Sequence, residues 1–449
     1  GFLHSLSAPL YLALALAGAP LAACDDGAAA DPVTGSEPSG PGGGKEDRGG
    51  IPADFAPRVA SLALHLDVGE LRGEAQIELE PSSAQTVSFE AGGLDIDDVW
   101  DDAGEVRWEV RDGALHVMHP ANAGPVYVDY RFRVQPGGEG WAKNGSTVLW
   151  PTFCGNLFPC HPDPADGFPF ELAVSGYGEG LTAIYPESLP AEAPPYTLAV
   201  AVGKYTCEDL GQTGNGTTVA VCWLPRGKTK ALAGTKPLVL AFDWLEQHIG
   251  TYTFGDRVAS VAAAWGESAA GGMEHHPYWH VATTEMDLPI THVHEATHGW
   301  FGTGVRIACW EDFVLSEGTT SYLAARALGA VTDRATERAI WKEYGETLDA
   351  VIDDEDVVVL PDGTCGAVDL LADGLFTNVL YMKGAFFWRA VAGEIGADVL
   401  DAVFARFYER HVGEAARMQD LLDQVREDTG FDPEPLAERW LRTLGDPRD

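Results

Sequence analysis

The feature that most constrains this chain is the motif H-E-A-T-H at residues 294–298. On a helix, residues four positions apart lie on the same face, so His294 and His298 can bind one metal ion. Glu317 follows nineteen positions later and offers a carboxylate as a third ligand. Two histidines and one carboxylate form the ligand set of a catalytic zinc site, which keeps a fourth position open. The sequence therefore predicts one zinc ion per chain, with Glu295 beside it as the general base.

Two further motifs lie on either side of this pair of histidines. They are G-G-M-E-H at residues 271–275 and Y-M-K-G-A at residues 381–385. In this order and at about these separations, the chain resembles the aminopeptidase N family of zinc exopeptidases, with its G-A-M-E-N, H-E-x-x-H-x18-E and Y-x-K-G-A elements. A weaker resemblance covers residues 147–152 and 158–164, which are similar to the family's T-Q-M-E-P-T and F-P-C-F-D-E-P segments. The resemblance extends over about residues 51–449.

The resemblance implies a role for the residues of each motif. Tyr381 would donate its hydroxyl to the oxyanion that develops on the substrate. Gly271, Gly272 and Met273 would form an edge strand with which a peptide substrate pairs. Glu274 would bind the free α-ammonium group of that peptide. A carboxylate at this point fixes the distance from the peptide's end, so the resemblance implies an aminopeptidase.

Three residues depart from the family's pattern. Val148 and Trp150 stand where relatives carry Gln and Glu, and His275 replaces an Asn. The Gln position commonly lines the amine-recognition pocket, so its loss concerns specificity rather than fold. A zinc endopeptidase of the same chemistry therefore stays an alternative, and a noncatalytic peptide-binding lipoprotein is another. The complete metal set with Glu295 argues against the latter, because a binding module does not need a general base.

The spacing of apolar residues divides the chain into two regions. From about Val59 apolar and polar residues alternate, which predicts a mostly antiparallel β domain at residues 51–235. Helical patterns dominate afterwards and predict a catalytic domain at residues 236–449. The predicted fold class is multidomain α+β, and the resemblance implies a saddle-like β domain followed by a mostly helical, thermolysin-like domain. Full-length relatives continue into a helical cap, and we expect a two-domain form without it.

The first fifty residues have the composition of an export signal followed by a tether. The apolar run at residues 10–16 is too short to span a bilayer, and L-A-A-C at residues 21–24 resembles a bacterial lipobox. We expect a signal peptide at residues 1–23 and a diacylglycerol on Cys24, which would hold an exported protein at the cell envelope. Residues 24–50 would form a disordered tether. An ordinary cleaved signal peptide is the alternative.

Six cysteines remain besides Cys24, and an even count suggests disulfide bonds in an exported protein. Cys207 and Cys222 flank a glycine-rich turn, so a disulfide could join the strands of a hairpin. The sequence leaves the pairing of the other four undetermined: Cys154, Cys160, Cys309 and Cys365.

The formal net charge of −39 restricts the partners of this chain. Such an acidic surface repels nucleic acid and anionic membranes. We therefore expect no nucleic acid as a partner and membrane contact through the lipid anchor only, while the resemblance implies peptide substrates.

Overall fold

The computed structural model describes residues 50–135, 139–149, 153–265, 271–361 and 363–448. The expected signal peptide, Cys24 and nearly all of the expected tether lie outside these residues, and so does Trp150. Within the described ranges, no helix is both long enough and apolar enough to cross a membrane.

The first half of the chain is built from short strands in which buried and exposed side chains alternate. The strands are β1 (Val59–Asp67), β2 (Arg72–Leu79), β3 (Val87–Glu90), β4 (Asp95–Asp101), β5 (Gly104–Glu105), β6 (Trp108–Arg111), β7 (Ala114–Val117), β8 (Val126–Arg131), β9 (Val134–Gln135), β10 (Gly140–Ala142), β11 (Thr147–Val148), β12 (Phe168–Ser175), β13 (Thr182–Ile184), β14 (Ser188–Ala193) and β15 (Ala201–Gly203). Two short 3-10 helices accompany them, Phe153–Asn156 and Pro195–Thr197.

The largest sheet of this half has seven strands in the order β14-β12-β1-β2-β8-β4-β5. Leu62 lies opposite Ile77 and Leu64 opposite Ala75, and all four side chains are buried. One face of the sheet is therefore apolar, because alternate residues of a strand point to the same side. The predicted β domain is confirmed as mostly antiparallel, but β1 and β12 pair in parallel.

The second half combines a mixed sheet with helices. Its strands are β16 (Thr206–Gln212), β17 (Thr218–Trp223), β18 (Arg257–Ala263), β19 (Gly272–Met273), β20 (His280–Ala282), β21 (Arg306–Ile307) and β22 (Ala415–Ala416). Its helices are α1 (Lys228–Gly234), α2 (Leu238–His248), α3 (Pro289–Thr297), α4 (Phe313–Val331), α5 (Arg334–Glu355), α6 (Asn378–Ile395), α7 (Ala397–His411), α8 (Met418–Thr429) and α9 (Glu434–Trp440). A third 3-10 helix, Trp310–Asp312, leads into α4.

The five-stranded sheet of the second half has the order β16-β17-β18-β20-β19. It joins strands from both sides of position 235, since β17 pairs in parallel with β18. The boundary predicted at residue 235 therefore falls inside a sheet, because the hairpin of β16 and β17 lies before it and the other three strands of the sheet lie after it. The motif strand β19 lies at the edge of this sheet, in the place expected for Gly272 and Met273.

Three disulfide bonds link the cysteines of the described residues. Cys207 pairs with Cys222 across the hairpin of β16 and β17, as predicted. The pairs that the sequence left open are Cys154–Cys160 and Cys309–Cys365. The second of them joins the segment before α4 to the loop before α6, between cysteines 56 positions apart. The bond restricts the unfolded chain and so favours the folded state.

Candidate active site

The three predicted metal ligands meet between α3 and α4. The Nε2 atoms of His294 and His298 are 3.2 Å apart. Glu317 Oε2 lies 3.2 Å from the first and 3.4 Å from the second of these nitrogens. Three atoms bound tetrahedrally to zinc at the usual bond lengths would lie about 3.3 Å from one another. The donors therefore have both the spacing and the chemistry that zinc requires, and zinc is assigned to these residues.

Local structure prepares the two histidines for this role. Pro289 occupies the first position of α3, where its fixed φ favours helix and its missing N–H is not needed. His298 follows at the carboxyl end of α3, and its Nδ1 donates to the carbonyl oxygen of Phe301 at 3.0 Å. This hydrogen bond fixes the ring, and in the neutral imidazole it places the free lone pair on Nε2, the atom that would bind zinc.

Glu295 lies beside the ligands, and its side chain packs over the edge strand β19. A Cβ atom on Gly272 would overlap the carboxyl group of Glu295. Glycine at this motif position therefore makes room for the carboxylate. Burial raises the pKa of Glu295 well above its usual value, and the carboxylates of Glu274 and Glu317 act in the same direction. A general base must be ionised, and the positive charge of zinc beside Glu295 would favour the ionised form.

Glu274 directly follows β19, and its side chain lies near Glu295 and the metal ligand His298. Ligand atoms of Glu274, Glu295 and His298 all lie within 4.8 Å of one another. The side chain is buried, and burial raises the pKa of Glu274 to about 7, with the charge of Glu317 adding to this. A second buried carboxylate thus stands next to the metal ligands without being one of the three.

Tyr381 covers the metal ligands from α6. Its ring lies 6.1 Å from the ring of His294, with the two planes inclined by 28°. The side chain is buried. Desolvation raises the pKa of the Tyr381 hydroxyl well above its usual value, and the neighbouring carboxylates of Glu317, Glu274 and Glu295 raise it further. The hydroxyl therefore stays protonated and is available as a hydrogen-bond donor.

Lys383 and Gly384 of the Tyr381 motif hold α6 in this position. A Cβ atom on Gly318 of α4 would lie only 2.7 Å from the Cα atom of Gly384. The two helices therefore cross with their backbones in contact, one residue after Glu317 and three after Tyr381. Lys383 is fully buried, where it pairs with Asp356 at 2.6 Å and donates to the carbonyl oxygen of Thr443. Burying a lysine charge requires such partners.

The other histidines of this region lie outside the ligand set. His276 accepts a hydrogen bond from the hydroxyl of Tyr252 and donates from Nε2 to the carbonyl oxygen of Glu295, at 2.9 Å. His292 accepts from Ser260 and donates to the carbonyl oxygen of Met286. Each connects buried elements, so these rings stabilise the frame around the metal ligands.

Sequence reasoning missed one residue of the site, Tyr196. It lies in the 3-10 helix Pro195–Thr197 of the first half and is buried, and burial together with the nearby charges of Glu274 and Glu317 raises the pKa of its hydroxyl well above the usual value. No motif marks it. The only sequence signal is its place after two prolines in a segment of otherwise apolar residues.

Comparison with known proteins connects this site to a family. Residues 280–440 match the model of the peptidase family M1 domain. Probable aminopeptidase 1 of Sulfurisphaera tokodaii is 20% identical over 436 residues, which cover 87% of this chain and 53% of that protein. Leucyl aminopeptidase of Saccharolobus solfataricus is 21% identical over 440 residues, which cover 86% of this chain and 53% of that protein. The chain thus spans about half the length of these curated relatives.

Solved structures share the fold. An M1 zinc metallopeptidase mutant from Deinococcus radiodurans, bound to a Tyr-Ser-Ala substrate, superposes with a TM-score of 0.72 at 17% identity, covering 87% of this chain and 95% of that one. Yeast LTA4 hydrolase gives a TM-score of 0.71 at 18% identity, and the match covers 87% of this chain and 69% of that one. The architecture is therefore a β-sheet domain followed by a mostly helical domain.

Proposed function

We propose that this chain, whose residues 280–440 form a peptidase family M1 domain, is a zinc aminopeptidase that removes residues from the amino end of peptides. The observation that carries the proposal is the buried carboxylate of Glu274 beside the metal ligands. Zinc, when bound, polarises the scissile carbonyl and makes water more acidic. The remaining chemistry belongs to side chains of this chain.

Two side chains have the placement for proton transfer and oxyanion stabilisation. Glu295 takes a proton from the attacking water and returns it to the leaving amine. Tyr381 stays protonated and donates to the oxygen that becomes negatively charged on the substrate. Both groups are buried, and in such surroundings a hydrogen bond to a developing charge is stronger than in water.

The third carboxylate, Glu274, favours recognition of an amino terminus. Glu317 is a metal ligand and Glu295 is assigned to proton transfer, so neither is free to bind the ammonium group of a peptide. A buried carboxylate requires a partner, and the α-ammonium group of a substrate supplies one. An internal peptide segment does not.

Acetylation of the substrate tests this proposal. The contact between Glu274 and an α-ammonium group is a charge-assisted hydrogen bond worth about 1.5–3 kcal/mol. We expect N-acetylated peptides to lose roughly tenfold or more in kcat/KM, at about 1.4 kcal/mol per decade. The measurement compares the cleavage of free and acetylated peptides of one sequence, with and without a chelator.

Two controls show whether the effect belongs to Glu274. The same peptide amidated at its carboxyl end should be cleaved as fast as the free acid, because that end is remote from Glu274. Glu274→Ala should slow cleavage of the free peptide and narrow its advantage over the acetylated one. Internal cleavage of acetylated peptides at the rate of free ones would replace the aminopeptidase with the endopeptidase alternative.

We also propose that the protein is exported and anchored through diacylglycerol on Cys24. The support is the L-A-A-C segment that follows an apolar run. The native protein should partition into the detergent phase, and Cys24→Ser should be released or stay unprocessed. Mass spectrometry of the mature amino terminus decides the point, since an unmodified residue after another cleavage site would rule out the anchor.

A further inference from the structure

The ring nitrogen of His298 that faces away from the metal ligands, Nδ1, lies among oxygen atoms. The carbonyl oxygen of Phe301 lies 3.0 Å from it and accepts its proton. The hydroxyl oxygens of Ser316 and Thr320 each lie 3.4 Å from the same nitrogen. All four residues are buried. The surroundings of Nδ1 therefore favour a proton on this nitrogen, which leaves the lone pair of the neutral ring on Nε2.

The turn that follows α3 brings the Phe301 carbonyl to this nitrogen. The backbone N–H of Thr303 donates to the carbonyl oxygen of His298 at 3.0 Å, and the N–H of Gly302 donates to that of Val305 at 2.9 Å. Gly302 has a φ of +105°, and a Cβ atom there would lie only 2.8 Å from Nδ1 of His298. Glycine therefore lets the turn pack directly against the imidazole ring.

Thr320 holds the same carbonyl group from the neighbouring helix. Its Oγ1 donates to the carbonyl oxygen of Phe301 at 3.2 Å. A carbonyl oxygen has two lone pairs, so it can accept from His298 and from Thr320 at once. Thr320 lies on α4, about one helical turn after Glu317. The helix that supplies the third metal ligand therefore also holds the group that orients the second.

We propose that Thr320 is a positioning residue for zinc: its hydroxyl holds the carbonyl oxygen of Phe301, and this oxygen orients the imidazole ring of His298 toward the metal. The inference rests on the zinc site that the proposed function also requires. A ring that is oriented in advance loses less freedom when it binds the ion, which strengthens binding. The contribution of Thr320 belongs to its hydroxyl group, so a side chain of the same shape without that group should bind zinc more weakly.

Zinc affinity of three variants tests the proposal. Thr320→Val replaces the hydroxyl with a methyl group and should raise the Kd for zinc roughly tenfold, the lower end of the range for groups that support a metal ligand. Thr320→Ala also lacks the hydroxyl and should show the same loss without adding a methyl group. Thr320→Ser keeps the hydroxyl and should restore most of the affinity. The measurement is competition for zinc between the metal-free protein and a chromophoric chelator.

Thr319→Val is the matched control on the same helix. Thr319 is fully buried like Thr320, but its hydroxyl oxygen accepts a hydrogen bond from the indole N–H of Trp388 on α6, at 3.0 Å. The variant leaves this buried donor without its partner, so the Tm of the metal-free protein should fall. Its Kd for zinc should stay that of the wild-type protein. The comparison separates support of His298 from a general loss of stability.

The outcomes distinguish the role of Thr320 from the function of the site. A wild-type protein that does not bind zinc overturns the metal assignment, and the proposed function fails with it. Wild-type affinity in Thr320→Val and Thr320→Ala overturns the role of Thr320 and leaves the function in place. An equal loss of affinity in Thr319→Val, or a Thr320→Ser protein as weak as Thr320→Val, also overturns it, because the effect would then not depend on the hydroxyl beside His298.

Discussion

Glu295→Gln should keep zinc and lose nearly all turnover. Glutamine has the shape of glutamate, so it fits over Gly272 and leaves the three ligands undisturbed. It has no basicity, and a positioned general base contributes roughly 10²- to 10⁴-fold to rate. We therefore expect kcat on free peptides to fall by about that factor. The measurements are peptide hydrolysis and elemental analysis of the same preparation.

Glu246→Gln is the matched control for this variant. Glu246 is also a buried glutamate, but it lies in α2 rather than α3. Its carboxylate accepts a hydrogen bond from the hydroxyl of Thr217 at 2.6 Å. Its replacement tests the effect of losing a buried carboxylate away from the metal ligands and should leave kcat nearly unchanged. A Glu295→Gln protein with a near-normal rate would remove Glu295 from the mechanism.

Glu317→Ala should lose most of the zinc that the wild-type protein carries at about one ion per chain. The variant keeps two histidines, but it lacks the anionic ligand that balances the charge of the ion. Loss of groups that merely support a ligand costs about 10- to 100-fold in metal affinity, and we expect loss of the ligand itself to cost more. Elemental analysis and zinc titration measure the effect.

Thermal unfolding adds a readout that does not depend on activity. Zinc that binds the folded state stabilises it, so added zinc should raise the Tm of chelator-treated wild-type protein much more than that of Glu317→Ala. Glu311→Ala is the control, because Glu311 is equally buried but accepts hydrogen bonds from the backbone of Ala367 and Val368. It should keep zinc. Freshly purified wild-type protein without zinc would contradict the metal assignment.

The zinc ligands could be predicted from sequence because their geometry is mostly local. Helical spacing alone brings His294 and His298 to one face, and the distance to Glu317 is that of a second helix packed against the first. The Cys207–Cys222 bond was predictable for the same reason, since a hairpin brings its two strands together.

Contacts between distant segments could not be predicted in this way. Burial and the charge of Glu274 raise the pKa of Tyr196, so the two residues are near each other, and they are so only because the two halves of the chain pack together. No sequence periodicity predicts this proximity. The parallel pairing of β1 with β12 likewise depends on the path of the chain between them. Helical patterns begin near residue 235 and predict a boundary there, but β17 before this position pairs with β18 after it. Sequence patterns therefore predict strands and helices more readily than they predict which of these elements pair or pack together.

The contact of Gly318 with Gly384 sets how closely α4 and α6 approach. A Cβ atom on Gly384 would lie 2.5 Å from the Cα atom of Gly318, so a larger residue at either position would push the two helices apart. Glu317 lies on one of these helices and Tyr381 on the other. Two glycines that carry no reacting group therefore determine how near the oxyanion donor stands to the metal ligands, and their replacement would widen the site without changing any of its side chains.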